Sequence, residues 1–362
     1  MKPINKQPRI SGLDTFRFIA ALWVVFCHCG SFPLADGLDR ASAVGLRIQG
    51  FYNNLFPGVP AVTVFFVISG FCIHYPYRGA NTFELWPYLT RRYIRIGIPL
   101  IAAVLLAGPF HVNLSFFQDS ILWSLVAELI YYTLYPFLRV LKARFGWNKI
   151  LAGSFLAAFA VIAGLYPSAK DYAPSGSALS WLICLPCWLL GCRLAEEDFR
   201  LAKAAVSGVS VWLGRLLVWF AAWGCSALRY HSPVGYPWTL NVFAILVFFW
   251  LRAEIMAFRH NPPPRALEWA GKWSYSIYLM HMIAFAVLAN FRPPDLGPKL
   301  NWIRMFVFVM GFSYLFYLLI EKPGHFIAKR AALFVKQREA GKTAPPFQNA
   351  PLPRPIATEL VK

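Results

Sequence analysis

Residues 13–31 read LDTFRFIAALWVVFCHCGS. A membrane-spanning helix needs roughly 17 to 25 mostly apolar residues, and this stretch meets that length despite Asp14, Arg17 and His28. Working outward, nine further apolar segments lie near 59–76, 95–110, 119–138, 150–167, 177–193, 206–225, 238–256, 273–291 and 302–320. The 362-residue chain is 58% hydrophobic, 17% aromatic and only 14% charged, with a mean hydropathy of +0.50. Soluble domains carry about 25% charged residues, so lipid must be the main solvent. The expected fold is an all-α integral membrane protein with about ten transmembrane helices in one bundle. The first run contains Arg17 and His28 and lacks a small-x-small exit, unlike a cleaved signal peptide. No loop has room for a soluble domain.

Charge sets the expected orientation. The chain carries 35 Lys and Arg against 16 Asp and Glu. With the N-terminus in the cytoplasm, 26 of the 35 fall in inside segments, six in outside loops and three in or at the edges of spans. That asymmetry follows the positive-inside rule and puts both termini in the cytoplasm. It also accounts for the net +19 without nucleic acid. The longest connection, 32–58, is expected to fold over the outer face. Residues 1–335 are read as the membrane domain and 336–362 as a basic, Pro-containing disordered cytoplasmic tail.

Ionisable groups inside spans are costly and are candidates for function. Arg17 and His28 are eleven residues apart, which places them about 20° apart around a helix and roughly 16 Å apart along it. One elongated ligand could touch both, although a snorkelling Arg and an interfacial His would explain the same residues. Arg92 and Arg95 share a helix face. With Arg17, Arg78 and Arg91 they form an all-arginine group suited to phosphates, while topology and lipid head groups explain part of the same cluster. Glu128 is expected about 14 Å below the outer boundary, at the depth of His28, where a carboxylate would support an imidazolium. Its alternative partner is Arg215. Ser274, Tyr278 and His281 form a polar stripe that interhelical hydrogen bonds would also explain. Ser69-Gly70 permits close helix approach. Cys27-His28-Cys29 diverges around a helix, and Cys184-x-x-Cys187 stands alone, so no metal is expected.

Together these residues resemble the acyltransferase 3 family of integral-membrane O-acyltransferases, stand-alone type. The resemblance spans residues 10–323. Its carriers are Gly12-Leu13-Asp14-x-x-Arg17 followed by His28, FFVISGF at 65–71 leading to Arg78, and RRYIR at 91–95 before Pro99. WSLVAELIYY at 123–132, SYSIYLMH at 274–281 and EKP at 321–323 complete the series. The resemblance implies transfer of an acyl group, usually acetyl, from cytoplasmic acyl-CoA to a carbohydrate or glycolipid hydroxyl at the outer face of a bacterial inner membrane. Arg17 with His28, and Arg92 with Arg95, fall on family motif positions. A fused extracytoplasmic esterase-like domain, common in the family, is not expected, which leaves room for a separate transfer partner.

On this reading His28 and Glu128 are catalytic. Arg17, Arg78, Arg91, Arg92 and Arg95 bind the acyl-CoA, and Asp14, Ser69, Trp123, Ser274, Tyr278 and His281 contact substrate. Direct transfer and an acyl-His intermediate both remain open. The competing class is a transporter or flippase for an anionic solute or lipid-linked sugar.

Overall fold

A computed structural model describes residues 10–34, 42–80, 82–114, 121–199 and 207–343. These residues are mostly helical, with no strand among them. Seven helices are long and apolar enough to cross a membrane, judged on length and composition. Among the described residues, all ten expected segments lie mainly on helix. The first is α1 (Leu13–Cys29), followed by a short α2 (Ala43–Asn53) and then α3 (Gly58–His74), the second segment. After them come α4 (Leu85–Ala107), α5 (Trp123–Leu165), α6 (Gly176–Ala195), α7 (Gly208–His231) and α8 (Tyr236–Phe258). A single turn, α9 (Arg265–Ala270), leads into α10 (Ser274–Asn290), α11 (Pro298–Phe316) and α12 (Lys322–Thr343). At 17 residues, α1 and α10 lie at the lower limit for a span.

Four local features refine the expected pattern. Segments 119–138 and 150–167 are the two helical arms of α5, which follow one another with no loop between them and meet at Gly146, whose φ of 74° breaks the helical path. Only a residue without a Cβ takes that conformation at little cost. The third segment is not confined between its prolines. α4 begins ten residues earlier and runs through Pro99, an interior proline of the kind that membrane helices tolerate. Arg91, Arg92 and Arg95 therefore lie within α4, with Arg92 and Arg95 one turn apart as their spacing indicates. The 32–58 connection carries α2, and just beyond that helix the Leu55 carbonyl accepts from Trp219 Nε1 at 2.9 Å. Finally, α12 continues to Thr343, so no break marks the 335/336 boundary. The segment 344–362 lies outside the described residues.

Between helices in lipid, close packing and polar contacts replace the hydrophobic effect as the source of association. At the centre, α3 and α6 meet backbone to backbone. A Cβ added at Gly70 would stand 1.9 Å from the Trp188 carbonyl oxygen, and one at Gly191 would stand 1.9 Å from that of Val67. α1 is anchored from outside its own sequence. Glu268 Oε1 accepts from Gly12 N (3.1 Å), Thr15 N (3.0 Å) and Thr15 Oγ1 (2.8 Å), placing a carboxylate on the positive helix terminus. That anchor fixes the start of the helix bearing Arg17 and His28. Between α7 and α8, Arg215 and the fully buried Glu254 form a two-pronged pair at 2.6 and 2.9 Å. Arg215 is thus not the partner of Glu128.

Candidate functional site

Two cavities lie among the helices around α1, α3 and α10. The first, about 300 Å³, is lined by Arg17, Arg91, Arg92 and Arg95 and by the carboxylates Glu128 and Glu321. The second, about 640 Å³, is lined by His28, His111, Trp123 and Tyr172 among others. Val62 and Tyr278 line both. The arginine and histidine chambers are therefore neighbours that meet at these two side chains.

α4 supplies three of the four arginines from successive positions on one side. Arg91 is exposed, while Arg92 and Arg95 are half-buried, so the positive charge runs inward. The Arg92 guanidinium lies 5.8 Å from the ring centres of both Tyr88 and Tyr132, an arrangement that stiffens it by cation–π attraction. Arg95 Nε donates to His325 Nε2 at 3.1 Å. Arg17, from α1, contacts Asp14 at 3.3 Å. Asp14 is not among the chamber's lining residues, and its carboxylate stands beside Arg17. Ser274 does line the chamber, but its hydroxyl donates to the Gly271 carbonyl at 2.9 Å.

Arg78 departs from the expected cluster. It donates to the carbonyls of Ala195 and Glu197 at 3.2 and 2.6 Å and does not line the chamber. Those carbonyls at the C-terminal end of α6 attract a cation. Beside it, the Glu196 carboxylate accepts from His74 Nε2 (2.6 Å) and Trp147 Nε1 (3.0 Å) and pairs with Lys142 (2.7 Å). The bond from His74, with help from Lys142 and Trp147, pulls the Glu196 carboxyl down to about 2 despite its partial burial.

Glu128 is also displaced from its expected role. Its Oε1 accepts from Ser69 Oγ at 2.7 Å and from the Tyr132 hydroxyl, and it lines the arginine chamber. Depth along the helix brings two groups to one level, but their facing decides whether they meet, and Glu128 faces α3. The partner of His28 is His281. His28 Nδ1 and His281 Nε2 are 2.9 Å apart, with the rings nearly parallel at 20°. His281, fully buried, places its Nδ1 2.7 Å from the Tyr278 carbonyl. A carbonyl only accepts, so His281 Nδ1 carries the proton and Nε2 is the acceptor. His28 Nδ1–H must then donate to it. In this tautomer, inferred from the bonding, His28 Nε2 bears a lone pair. His28 lines its chamber, whereas His281 stands behind it, outside the lining.

Trp123 stacks on Tyr172 with ring centres 5.0 Å apart, giving the histidine chamber an aromatic wall. Tyr278 is tied down at its far end. Its hydroxyl donates to the Ile121 carbonyl at 2.9 Å and lies 2.7 Å from Ser124 Oγ. Sequence reasoning missed Ser124, Tyr132 and Glu321 as site residues. Ser124 and Tyr132 sit inside the quoted WSLVAELIYY stretch, whose helical spacing from Glu128 was a usable signal. Glu321 was read only as an exit marker. It ends a π-helical turn, Tyr317–Glu321, between α11 and α12, and its carboxylate accepts from Ser276 N at 3.1 Å and from the Ser276 hydroxyl.

The model of the Acyl_transf_3 family, described as an acyltransferase domain, matches residues 10–321. Among curated proteins, an acyltransferase named MdmB from Streptomyces mycarofaciens is 23% identical over 335 residues, covering 81% of this chain and 84% of that one. An amino-acid racemase from Enterococcus faecalis is 26% identical over 169 residues, 45% of this chain but only 22% of that protein. No solved structure matches.

Proposed function

The chain belongs to the acyltransferase 3 family of membrane acyltransferases, and on that premise we propose that it moves an acyl group, in the simplest case acetyl, from acyl-CoA to a hydroxyl of a surface or exported carbohydrate. In this reading it crosses a bacterial inner membrane ten times with both termini in the cytoplasm. The arginine chamber opens to the cytoplasm and the histidine chamber to the outer side, the orientation favoured by the distribution of Lys and Arg.

Acyl-CoA carries a pyrophosphate and a 3′-phosphate at one end and the thioester at the other. Arg91, Arg92 and Arg95 offer paired donors that suit phosphate oxygens, with Arg17 deeper. The extended pantetheine arm measures about 15–20 Å, comparable to the roughly 16 Å rise between Arg17 and His28. The acceptor hydroxyl loses its proton to His28 Nε2 as its oxygen attacks the thioester carbonyl carbon. A C–O bond forms and the C–S bond breaks. The departing sulfur takes the proton from the imidazolium, leaving CoA thiol and neutral His28. The stacked Trp123 and Tyr172 rings suit the apolar face of a sugar.

The observation that carries this reading is the position of His28, its Nδ1 engaged by His281, in a cavity that adjoins the arginine cavity. Calorimetric titration of the purified chain in lipid nanodiscs with acetyl-CoA tests the donor side. Saturable binding that weakens in Arg92→Ala and Arg95→Ala supports it, and absence of binding overturns it. Removal of a general base costs about 10²- to 10⁴-fold in rate. A His28→Ala chain that inserts normally and keeps full transfer overturns the base assignment. Mass spectrometry of surface glycans from a deletion strain identifies the acceptor as the species that loses the acyl mass.

A further inference from the structure

The two chambers raise a geometric question about any donor that is held by the arginines and reacts at His28. The acyl group lies beyond the thioester, at the leading end of the molecule. It must leave the arginine chamber before the thioester does, and it meets Val62 and Tyr278 first, because these residues border both spaces. Both side chains are buried, at 7% exposure each. Val62 projects from α3 and Tyr278 from α10. The Tyr278 ring is held in place on two sides. Its hydroxyl is fixed to Ile121 and Ser124 at the start of α5 (2.9 and 2.7 Å), and the Phe65 ring meets it edge-on with centres 5.9 Å apart.

We propose that Val62 and Tyr278 form the constriction through which the acyl group threads, and that this pair sets the upper limit on acyl length and branching. The inference rests on the acyl-CoA reading above. A branched aliphatic side chain and a tethered ring leave little freedom to yield. Each methylene added to a group confined by such walls is discriminated against by about tenfold or more. Ser124 and Ile121 act as the latch of the ring, so loss of the hydroxyl in Tyr278→Phe loosens the passage without shortening the side chain.

Two native cysteines report on the two sides. Cys72 lines the arginine chamber and Cys27 the histidine chamber, and both are thiols outside any disulfide. The experiment measures alkylation of each by N-ethylmaleimide, resolved by peptide mass spectrometry, on the full chain in nanodiscs with CoA, acetyl-CoA or hexanoyl-CoA. All three are expected to slow labelling of Cys72. Acetyl-CoA is expected to slow labelling of Cys27 as well, and hexanoyl-CoA is not. In Val62→Ala and in Tyr278→Phe, hexanoyl-CoA gains protection of Cys27. Equal protection of Cys27 by acetyl- and hexanoyl-CoA in the wild type overturns the constriction. So does an unchanged hexanoyl-CoA pattern in both variants while Cys72 stays protected. Failure of every CoA compound to protect Cys72 instead overturns the donor reading itself, so the two failures are distinct.

Discussion

His28 Nδ1 lies 2.9 Å from His281 Nε2, and the second histidine is itself fixed by the Tyr278 carbonyl. A neutral imidazole thus occupies the position that a carboxylate holds behind a histidine base elsewhere. It can orient His28 and strengthen its bond as His28 gains a proton, without adding a buried negative charge. His281 is accordingly a positioning residue. His281→Phe removes the acceptor and is expected to lower kcat by about 10- to 100-fold while acetyl-CoA affinity is unchanged. His281→Gln, whose amide oxygen accepts a hydrogen bond, is expected to restore part of the rate. A pH–rate profile distinguishes this from a packing role. The histidine limb moves in the Phe variant and returns toward the wild type in the Gln variant.

The location of Glu128 leads to a different expectation. Glu128→Gln keeps an acceptor for Ser69 and Tyr132 and removes a negative charge from a chamber that holds Arg17, Arg92 and Arg95. Binding of the polyanionic CoA is expected to tighten, most visibly at low ionic strength. Glu128→Ala strands two hydroxyls and costs about 1–3 kcal/mol of stability. Calorimetry with CoA at two salt concentrations, paired with thermal melting, checks both directions.

Arg215 and Glu254 test the bundle rather than the chemistry. Removing one member of a buried pair leaves the other charge uncompensated, at about 3–5 kcal/mol. Arg215→Ala, which strands the fully buried Glu254 carboxylate, is therefore expected to lower the melting temperature sharply, whereas Arg215→Leu combined with Glu254→Leu recovers most of it. Melting in detergent or nanodiscs reads this directly, and the rate per folded molecule is expected to stay constant.

Glu196 gives a pH signature outside the spans. Its carboxyl is held at about 2 against an ordinary 4.5, so its contribution to stability is complete above about 4.5 and declines as the pH falls toward 2. The melting temperature of the wild type is expected to exceed that of Glu196→Gln by a constant margin at neutral pH. That margin shrinks between pH 4.5 and pH 3.

The helices were legible because apolar segments long enough to span a bilayer leave few alternatives, and α1, α3 and α10 fell within a few residues of their expected ends. The arginines of α4 were legible from spacing alone. Partnerships were much less so. Sequence gives depth along a helix from residue count, which put Glu128 level with His28, but the angle between two distant helices decides which side chains meet. His281 and His28 are 253 residues apart, and no local pattern pairs them. Arg78 illustrates the same limit: its sequence neighbours suggest phosphate, yet the carbonyls that claim it belong to the end of α6. The π turn before Lys322 left no periodic trace, since a slightly wider turn is invisible over the five residues Tyr317–Glu321.

The close backbone approach of Gly70 to Trp188 and of Gly191 to Val67 assigns moving and stationary parts. At these two glycines no side chain separates α3 from α6, so neither helix can slide or roll there without breaking carbonyl-level contact. Val62 therefore rides on a stator. Any widening of the passage has to come from the opposite wall, by swinging the tyrosine ring or by α10 pulling away from the start of α5. The working stroke of this protein is then expected to be a small displacement on one flank, not a rocking of two halves of the bundle.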